Sequence, residues 1–230
     1  MMQQEDNACR VQVRYTGNLD GSMLKWLALL TMLLDHIGAV FFRQGTMPYI
    51  LCRSVGRISF PLFCFLLVEG FCHTGDVRKY IIRMTGFAFL AEIPFDLVFY
   101  GKIVKLDGQN VLFTMAFGLV ALVIVKNHFF WDVKSIITFV IVGGLACLFR
   151  VDYTWFGILL ILIFYFFRES PWQRNVVAGA FLIWHPVSLL VLLPLSCYNG
   201  KRGKSGKYFF YWFYPVHLMA LWMIRVFLIN

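Results

Sequence analysis

An acidic residue and a histidine lie side by side, Asp35 and His36, within the otherwise apolar stretch LLTMLLDHIGAVFF at positions 29–42. Placing a charged side chain at the centre of a bilayer costs roughly 2.5–3.5 kcal/mol on insertion scales, so such residues usually have a function. Histidine titrates near neutral pH and acts as a general base or a nucleophile. Because adjacent residues of a helix do not face each other, we expect the partner of His36 on another helix. A carboxylate there would hold its tautomer and stabilise its imidazolium form.

The next apolar stretch also carries ionisable residues. Arg53 and Arg57 are one helical turn apart near its start, and Glu69 and His73 are one turn apart near its end. Pro61 leaves the carbonyl of Arg57 without its helical donor, which predicts a kink at that point. An unpaired guanidinium in hydrocarbon is costly. We therefore expect Arg57 to be buried against a carboxylate of another helix, either for function or to tie two helices together.

The stretch AEIPFD places Glu92 and Asp96 on one helix face. Two buried carboxylates this close repel each other unless a cation lies between them, and Arg57 and Arg83 are the candidates for that cation. Carboxylates near helix ends, Glu69 included, have the alternative of reaching headgroup water.

Two further polar residues are candidates for the site. Asn110 opens an apolar stretch and is a candidate oxyanion donor. His217 follows a run of tyrosines at positions 208, 211 and 214, which we interpret as an aromatic belt at the membrane interface.

The composition indicates an integral membrane protein. Of 230 residues, 60% are hydrophobic and only 14% are charged, against about 25% in soluble domains. The net charge is +9, but the cations fall between apolar stretches, as at positions 78–79 and 201–202. They suit anionic lipid headgroups and orientation in the membrane, whereas nucleic acid is not an expected partner. The six cysteines form no CxxC pair, so no disulfide framework or metal site is expected.

The pattern predicts an all-α, polytopic transmembrane helical bundle with about eight spans, within a range of seven to nine, in a single domain of residues 1–230. Its polar segment at positions 1–20 lacks the apolar core of a cleavable signal peptide. A span needs roughly 20 apolar residues. The candidate spans are residues 22–42, 47–72, 80–99, 111–125, 133–149, 154–167, 176–196 and 208–228.

The stretch WHPVSLLVLLPL is either part of one kinked span or a segment that enters the membrane and returns. A return would place about fourteen Lys and Arg on the N-terminal side against about six on the other, whereas a crossing gives about eleven against nine. We expect a cytoplasmic N-terminus.

Six motifs, in the same order and between residue 19 and about residue 221, resemble those of the TraX family of bacterial membrane proteins. They are LDGSMLKWLALLTMLLDHIGAVFF, GRISFPLFCFLLVEGFCHT, YIIRMTGFAFLAEIPFDL, DYTWFGILLILIFYFFR, YNGKRG and KYFFYWFYPVHL. The family's namesake is similar to an N-acetyltransferase that caps a pilin amino terminus. The family also looks related to larger polytopic acyltransferases that use acetyl-CoA and an intramembrane histidine.

The resemblance implies acetyl transfer from acetyl-CoA, without a metal, to an amine or hydroxyl of an unidentified acceptor such as a peptide, a pilin-like amino terminus or a sugar. It also implies a location in the bacterial inner membrane. The candidate catalytic residues are His36, Asp35, Glu69 and Glu92. Several candidate binding residues are loop cations, which would meet the CoA phosphates. The full set is Arg57, Arg78, Lys79, Arg83, Asn110, Lys201, Arg202 and His217.

Two other classes of function remain open on the residues alone. Asp35–His36 with Glu92 and Asp96 would also suit the proton relay of a small proton-coupled transporter. A membrane scaffold without enzymatic activity is the third.

Overall fold

A computed structural model describes residues 15, 17–105, 107–204 and 206–228, so most of the polar segment predicted at positions 1–20 lies outside the described residues. The helices are α1 (Gly21–Phe41), α2 (Met47–Gly56), α3 (Ser59–Cys72), α4 (Val77–Tyr100), α5 (Val111–Val125), α6 (Val133–Leu148), α7 (Thr154–Phe166), α8 (Pro171–Leu182), α9 (Leu192–Ser196) and α10 (Lys207–Leu228). A 3₁₀-helix, Pro186–Val191, precedes α9. The described residues form no β-strand, only two isolated bridges, and the all-α prediction is confirmed.

Apolar helices of sufficient length suggest a membrane protein. Two segments are long and apolar enough to cross a bilayer, Gly21–Phe41 and Met47–Cys72, the second of which comprises α2 and α3. Shorter apolar helical segments are Val111–Val125, Val133–Leu148, Thr154–Phe166 and Pro186–Ser196. The count of eight spans stays a prediction.

The second of these segments is broken where the sequence predicts a kink. α2 ends at Gly56 and α3 begins at Ser59, two residues before Pro61. Proline has no N–H to donate to the carbonyl of Arg57. That carbonyl instead accepts a hydrogen bond from Ser188 Oγ at 3.2 Å, so the 3₁₀-helix supplies the missing donor.

The WHPVSLLVLLPL stretch enters the bundle and returns. α8 and α9 are antiparallel neighbours, joined where Arg174 Nη2 donates to the carbonyl of Leu195 at 3.1 Å. The chain after α9 rejoins the start of α1, where the N–H of Leu19 donates to the carbonyl of Cys197 at 2.8 Å. The stretch therefore folds back on itself, as the returning alternative predicts, and its path through the membrane stays a prediction.

The remaining helices alternate in direction and define two ends of the bundle. The first end, where α1 begins, comprises the connections at residues 73–76, 126–132, 167–170 and 197–206. The second end, where α1 finishes, comprises the connections at residues 42–46, 101–110 and 149–153. At the second end Gln109 and Val151 form a parallel bridge, which fixes two of these connections to each other.

Two groups of buried side chains form the core. The larger lies between α3, α5 and α7, where Leu62, Leu119 and Ile161 are fully buried. The smaller lies between α1, α4 and α10 and includes Leu29 and Leu218. The side chains of this smaller group surround His36.

Candidate functional site

Two histidines from opposite ends of the sequence meet inside the bundle. Nδ1 of His36, on α1, lies 2.7 Å from Nε2 of His217, on α10, and the ring planes differ by only 7°. Both residues are buried. The prediction that the partner of His36 lies on another helix is confirmed. The expectation that the partner is a carboxylate is wrong, because an imidazole occupies that place.

The hydrogen bonds of this pair determine which ring nitrogens carry protons. His217 Nδ1 lies 2.7 Å from the carbonyl oxygen of Phe213, which can only accept, so Nδ1 of His217 carries the hydrogen. In a neutral ring Nε2 of His217 is then an acceptor, and Nδ1 of His36 donates to it. Nε2 of His36 is left with a free lone pair. The arrangement therefore presents His36 Nε2 as a base or nucleophile.

Aromatic rings surround both imidazoles. The ring of Phe99 lies 5.6 Å from that of His36, and Phe213 stacks on His217 at 5.0 Å. Tyr214 packs against both histidines, at 6.1 Å from His36 and 5.6 Å from His217. These rings fix the orientation of the imidazoles and keep bulk water away from them.

Asp35 faces away from His36. Its carboxylate forms an ion pair with Arg53 of α2, and Gly56 leaves the space that the carboxylate occupies, since a Cβ there would meet Asp35 Oδ1 at 2.1 Å. The expected ion pair of Arg57 with a carboxylate is wrong. Arg57 is exposed and, among the described residues, forms no ion pair within 4.0 Å, because the carboxylate of Asp35 pairs with Arg53, one turn earlier.

Glu92 holds the start of α5 against α4. Its Oε2 accepts from the backbone N–H of Asn110 at 3.1 Å and from the Asn110 side-chain amide. That amide also donates to the carbonyl of Ala88 at 2.8 Å, and the Asn110 side-chain oxygen accepts from the N–H of Leu112 at 3.0 Å. Both hydrogens of the Asn110 amide are thus engaged in structure and not directed at a reacting oxyanion.

Amide groups, not a cation, donate hydrogen bonds to the two carboxylates of α4. The carboxylate of Asp96 accepts from the backbone N–H of Lys105 at 2.6 Å. The guanidinium of Arg83 instead lies over the rings of Tyr80 and Tyr211, at 5.5 and 5.2 Å. The prediction of Arg57 or Arg83 between Glu92 and Asp96 is therefore wrong.

A cavity of about 340 Å³ leads from the first end toward the histidines. Lys25, Arg83 and Arg202 line it near the first end. Met32 and Tyr214 line its inner part, and Met32 is one helical turn before His36. Neither histidine lines the cavity, and Tyr214, which packs against both imidazoles, lies between the cavity and the histidine pair.

The cavity separates the predicted loop cations into two sets. Arg83 and Arg202 line it, whereas Arg78, Lys79 and Lys201 are exposed and do not. The ammonium of Lys79 pairs with Asp76 at 3.2 Å. Lys25 was not predicted from the sequence as a residue of the cavity, because a single cation in the first turn of a predicted span is usually a headgroup anchor.

Glu69 lies at the first end, apart from His36. It accepts from the hydroxyl of Tyr198 at 2.8 Å and lines the cavity there. At 1.5 Å per residue, His36 is about 22 Å along α1 from Gly21, whereas Glu69 is in the last turn of α3. The two residues do not form one catalytic group.

The tyrosines of α10 divide in the same way. Tyr208 is 62% exposed, as an interfacial residue would be. Tyr211 and Tyr214 line the cavity, and Tyr214 is only 4% exposed. The belt interpretation is wrong for these two, and the spacing of Tyr214 three residues before His217 was the available signal.

Asp152, at the second end, is a charged residue that sequence reasoning missed. It lies in the α6–α7 connection, where the non-glycine residues Arg150, Tyr153 and Thr154 have positive φ angles of 51°, 60° and 37°. Thr114 holds this connection in place by donating its hydroxyl proton to the carbonyl of Asp152. Strained backbone of this kind persists only where the surroundings enforce it, and it is common at functional sites.

The carboxyl of Asp152 is reached by solvent but enclosed by protein on its other sides. Desolvation raises the pKa of Asp152 to about 6, although the N–H of Tyr153 and the positive charges of Arg57 and Arg53 oppose the rise. The negative charge of Asp35 adds to it. Asp152 is therefore a solvent-exposed residue of the second end whose pKa is raised by the protein groups around it.

This pKa predicts how stability depends on pH. Because the pKa of Asp152 is higher in the folded than in the unfolded chain, its contribution favours folding below about pH 4 and is lost as the pH rises through about 6. We expect Asp152→Asn to raise the unfolding temperature relative to the wild type more at pH 7.5 than at pH 5. Thermal unfolding of both proteins at the two pH values measures this, and an equal difference at both would contradict it.

The chain is similar to one described family and to two bacterial proteins. The family model described as "TraX protein" matches residues 20–225. A "Probable fimbrial assembly protein FimC, serogroup H1" of Dichelobacter nodosus is 32% identical over 92% of this chain and 98% of that protein. "Uncharacterized protein RP591" of Rickettsia prowazekii (strain Madrid E) is 23% identical over 77% of this chain and 68% of that protein. No solved structure matches the chain significantly.

Proposed function

The chain belongs to the TraX family, and on that premise we propose that it is a membrane-embedded acetyltransferase, which moves an acetyl group from acetyl-CoA to an amine or hydroxyl of an acceptor. The observation that carries this proposal is the buried pair of His36 and His217, whose hydrogen bonds leave the lone pair of His36 Nε2 unused, next to Tyr214 at the inner part of a cavity with cations near its opening. The fimbrial assembly name of the 32% identical relative makes a peptide or pilin-like amino terminus a suitable acceptor.

Acetyl-CoA would enter at the first end. Lys25, Arg83 and Arg202 would meet its phosphates as point charges and charge-assisted donors. The Nε atom of Arg83 is buried without a hydrogen-bond partner among the described residues, so an anion there would satisfy it. The apolar inner part of the cavity would take the pantetheine arm and bring the thioester beside Tyr214 and His36.

The chemistry then follows from His36 Nε2. As a general base it removes a proton from the acceptor amine or hydroxyl while the acceptor attacks the thioester carbonyl carbon. The carbon–sulfur bond breaks, and the CoA thiolate leaves and takes the proton from His36 Nε2. As a nucleophile, His36 Nε2 would itself hold the acetyl group between the two half-reactions. In either route His217 Nε2 accepts from His36 Nδ1 and spreads the positive charge over two rings.

The same proposal places the chain in the bacterial inner membrane as a multi-pass protein. With the α8–α9 segment returning, 12 of the 19 Lys and Arg residues in the described part of the chain lie toward the first end. The positive-inside rule then puts the first end, and with it the cavity opening, in the cytoplasm, where acetyl-CoA is found.

Replacement of Lys25, Arg83 and Arg202 together by Gln tests the donor site. We expect the affinity for CoA to fall at least about tenfold and to lose most of its dependence on salt, because three charge-assisted contacts are removed. Titration of CoA into the purified protein at 50 and 300 mM salt measures both effects.

The exposed residues Arg78, Lys79 and Lys201 provide a control with the same change of charge. Replacing these three by Gln should leave the affinity for CoA within about twofold, because exposed charges outside the cavity contribute little. Equal losses in the two triple variants would move the donor site out of the cavity.

A proton-coupled transporter is less well supported. A relay needs Asp35 beside His36, yet Asp35 faces α2 and pairs with Arg53. Proton-driven uptake by proteoliposomes without hydrolysis or transfer of acetyl-CoA would favour the transporter over the enzyme.

A further inference from the structure

Three carboxylates lie close together at the second end of the bundle. The N–H of Asp152 donates to the carbonyl of Gln109 at 2.9 Å. The N–H of the next residue, Asn110, donates to Glu92 Oε2 at 3.1 Å, and Asp96 follows Glu92 by one turn of α4. All three carboxylates, and that of Asp107, act electrostatically on Tyr100, whereas Glu92 and Asp152 act on Tyr214. We call Glu92, Asp96 and Asp152 the acidic chamber. It combines the end of α4 with the α6–α7 connection.

The acidic chamber has unused capacity to accept hydrogen bonds. Oε1 of Glu92 and Oδ1 of Asp96 are buried without a hydrogen-bond partner among the described residues, and Asp96 is 0% exposed. Within the same part of the chain, none of the three carboxylates has a cationic partner within 4.0 Å. A buried, unpartnered carboxylate oxygen is costly, so the chamber suits a ligand that brings positive charge and several N–H donors.

One ammonium group of the chain itself already lies at this site. Nζ of Lys105 is 3.4 Å from the centroid of the Tyr100 ring. Its position on an aromatic face next to carboxylates is the environment that ammonium ligands prefer. The chamber therefore favours a primary ammonium over an anion or a neutral hydroxyl.

Tyr214 connects the acidic chamber to the histidine pair. Its ring packs against His36 and His217, while Glu92 and Asp152 lie within electrostatic reach of its hydroxyl. A single side chain thus separates the chamber from the base. The cavity approaches the same histidines from the first end, so the two approaches come from opposite ends of the bundle.

We propose that the acidic chamber binds the ammonium form of the acceptor amine, which reaches His36 from the second end while acetyl-CoA reaches it from the first. The acetylation of that amine rests on the proposed function, whereas its binding does not. A chamber carboxylate takes one proton from the ammonium and leaves a neutral amine. His36 Nε2 takes the second proton as the nitrogen–carbonyl bond forms and the carbon–sulfur bond breaks, and then passes it to the CoA thiolate.

Asp152→Asn tests the chamber with little change of structure. Asn retains a side-chain oxygen for the N–H of Tyr153, which donates to Asp152 Oδ1 at 3.0 Å. The matched control is Asp107→Asn, which removes the same charge at the same end from a carboxylate that pairs with Arg150 and acts on Tyr100, whereas the carboxylates that act on Tyr214 are Asp152 and Glu92. The probes are hexaalanine amide with a free amino terminus and its N-acetylated form, titrated without donor into the full-length protein in detergent.

We expect the wild type and Asp107→Asn to bind the free amine at least about tenfold more tightly than the acetylated peptide, because only the former carries the charge. In Asp152→Asn this preference should fall below about twofold. Absence of a preference in the wild type, or its survival in Asp152→Asn, would overturn the proposal.

Acetyl transfer measured in parallel separates this inference from the proposed function. In proteoliposomes, acetyl-CoA and the free peptide are supplied on opposite sides of the membrane. If the protein prefers the free amine in a way that depends on Asp152 but transfers no acetyl group, the proposed acetyltransferase activity is refuted and the proposed binding of the amine by the acidic chamber stands. Transfer that requires donor and peptide on the same side would refute entry from the second end.

Discussion

Replacing His36 by Ala or Asn is expected to abolish acetyl transfer while leaving expression, folding and CoA binding largely intact. Loss of a general base alone lowers a rate by about 10²–10⁴, and loss of a covalent step lowers it further. Asn keeps much of the size of the ring and can still hydrogen-bond to His217. It cannot take a proton, so His36→Asn should be nearly as inactive as His36→Ala. Transfer of radiolabelled acetyl groups from acetyl-CoA, alongside CoA binding, measures both effects.

The neighbouring residue provides the control for this experiment. Asp35 faces α2 and pairs with Arg53, so Asp35→Asn should lower thermal stability and reduce acetyl transfer far less than His36→Asn does. Near wild-type transfer by His36→Ala would refute the assignment of His36 as the base, and His217 would become the candidate. Equal loss of transfer in Asp35→Asn and His36→Asn would mean that the carboxylate tunes the histidine after all.

Patterns of apolar residues predicted the helices because each helix is determined locally. The apolar stretches of the sequence became the described helices, and Pro61 predicted the break between α2 and α3 because a missing N–H acts on the carbonyl four residues earlier. The re-entrant α8–α9 segment was only one of two readings, since its length also fits a crossing. The contact that supports the return joins Leu19 to Cys197, residues far apart in the sequence.

The partners of the charged residues could not be predicted in the same way. Spacing places Arg53 and Arg57 on one face, but it does not tell which of them pairs with Asp35 of α1, and the structure shows that Arg53 does. His36 and His217 are separated by 181 positions, and their contact depends on α10 packing beside α1. No periodicity within one helix contains that information.

Asp152 gave no signal because an acidic residue between two apolar stretches is usually a solvated loop residue. Its role depends on a connection with three positive φ angles, which folds the carboxylate back toward Arg57 and Tyr214. Conformations of this kind are imposed by tertiary contacts and not by local preference. The candidate catalytic histidine was therefore accessible from the sequence, while the residues that surround it were not.

His217→Phe is expected to lower the rate of acetyl transfer by about 10²–10⁴, the effect of losing the group that fixes the tautomer of a catalytic histidine. Phe keeps an aromatic ring to pack beside Phe213 but has no acceptor for the hydrogen on His36 Nδ1. That hydrogen is then free to move to Nε2, where it blocks the lone pair that acts as the base. CoA binding should be unchanged, because His217 does not line the cavity.

His217→Gln separates this positioning role from a purely structural one. The side-chain oxygen of Gln can accept a hydrogen bond from His36 Nδ1, so His217→Gln should be more active than His217→Phe. Gln packs less well than Phe beside Phe213, so a role in packing alone would give the opposite order. Nitrogen-15 NMR of histidine-labelled protein reports the tautomer directly. In the wild type and in His217→Gln, His36 should carry its hydrogen on Nδ1. In His217→Phe, the hydrogen should be found on Nδ1 in some molecules and on Nε2 in others. If His217 only fills space, His217→Phe should be more active than His217→Gln. The tautomer of His36 should then be the same in all three proteins. This outcome would mean that His36 has no positioning partner on α10.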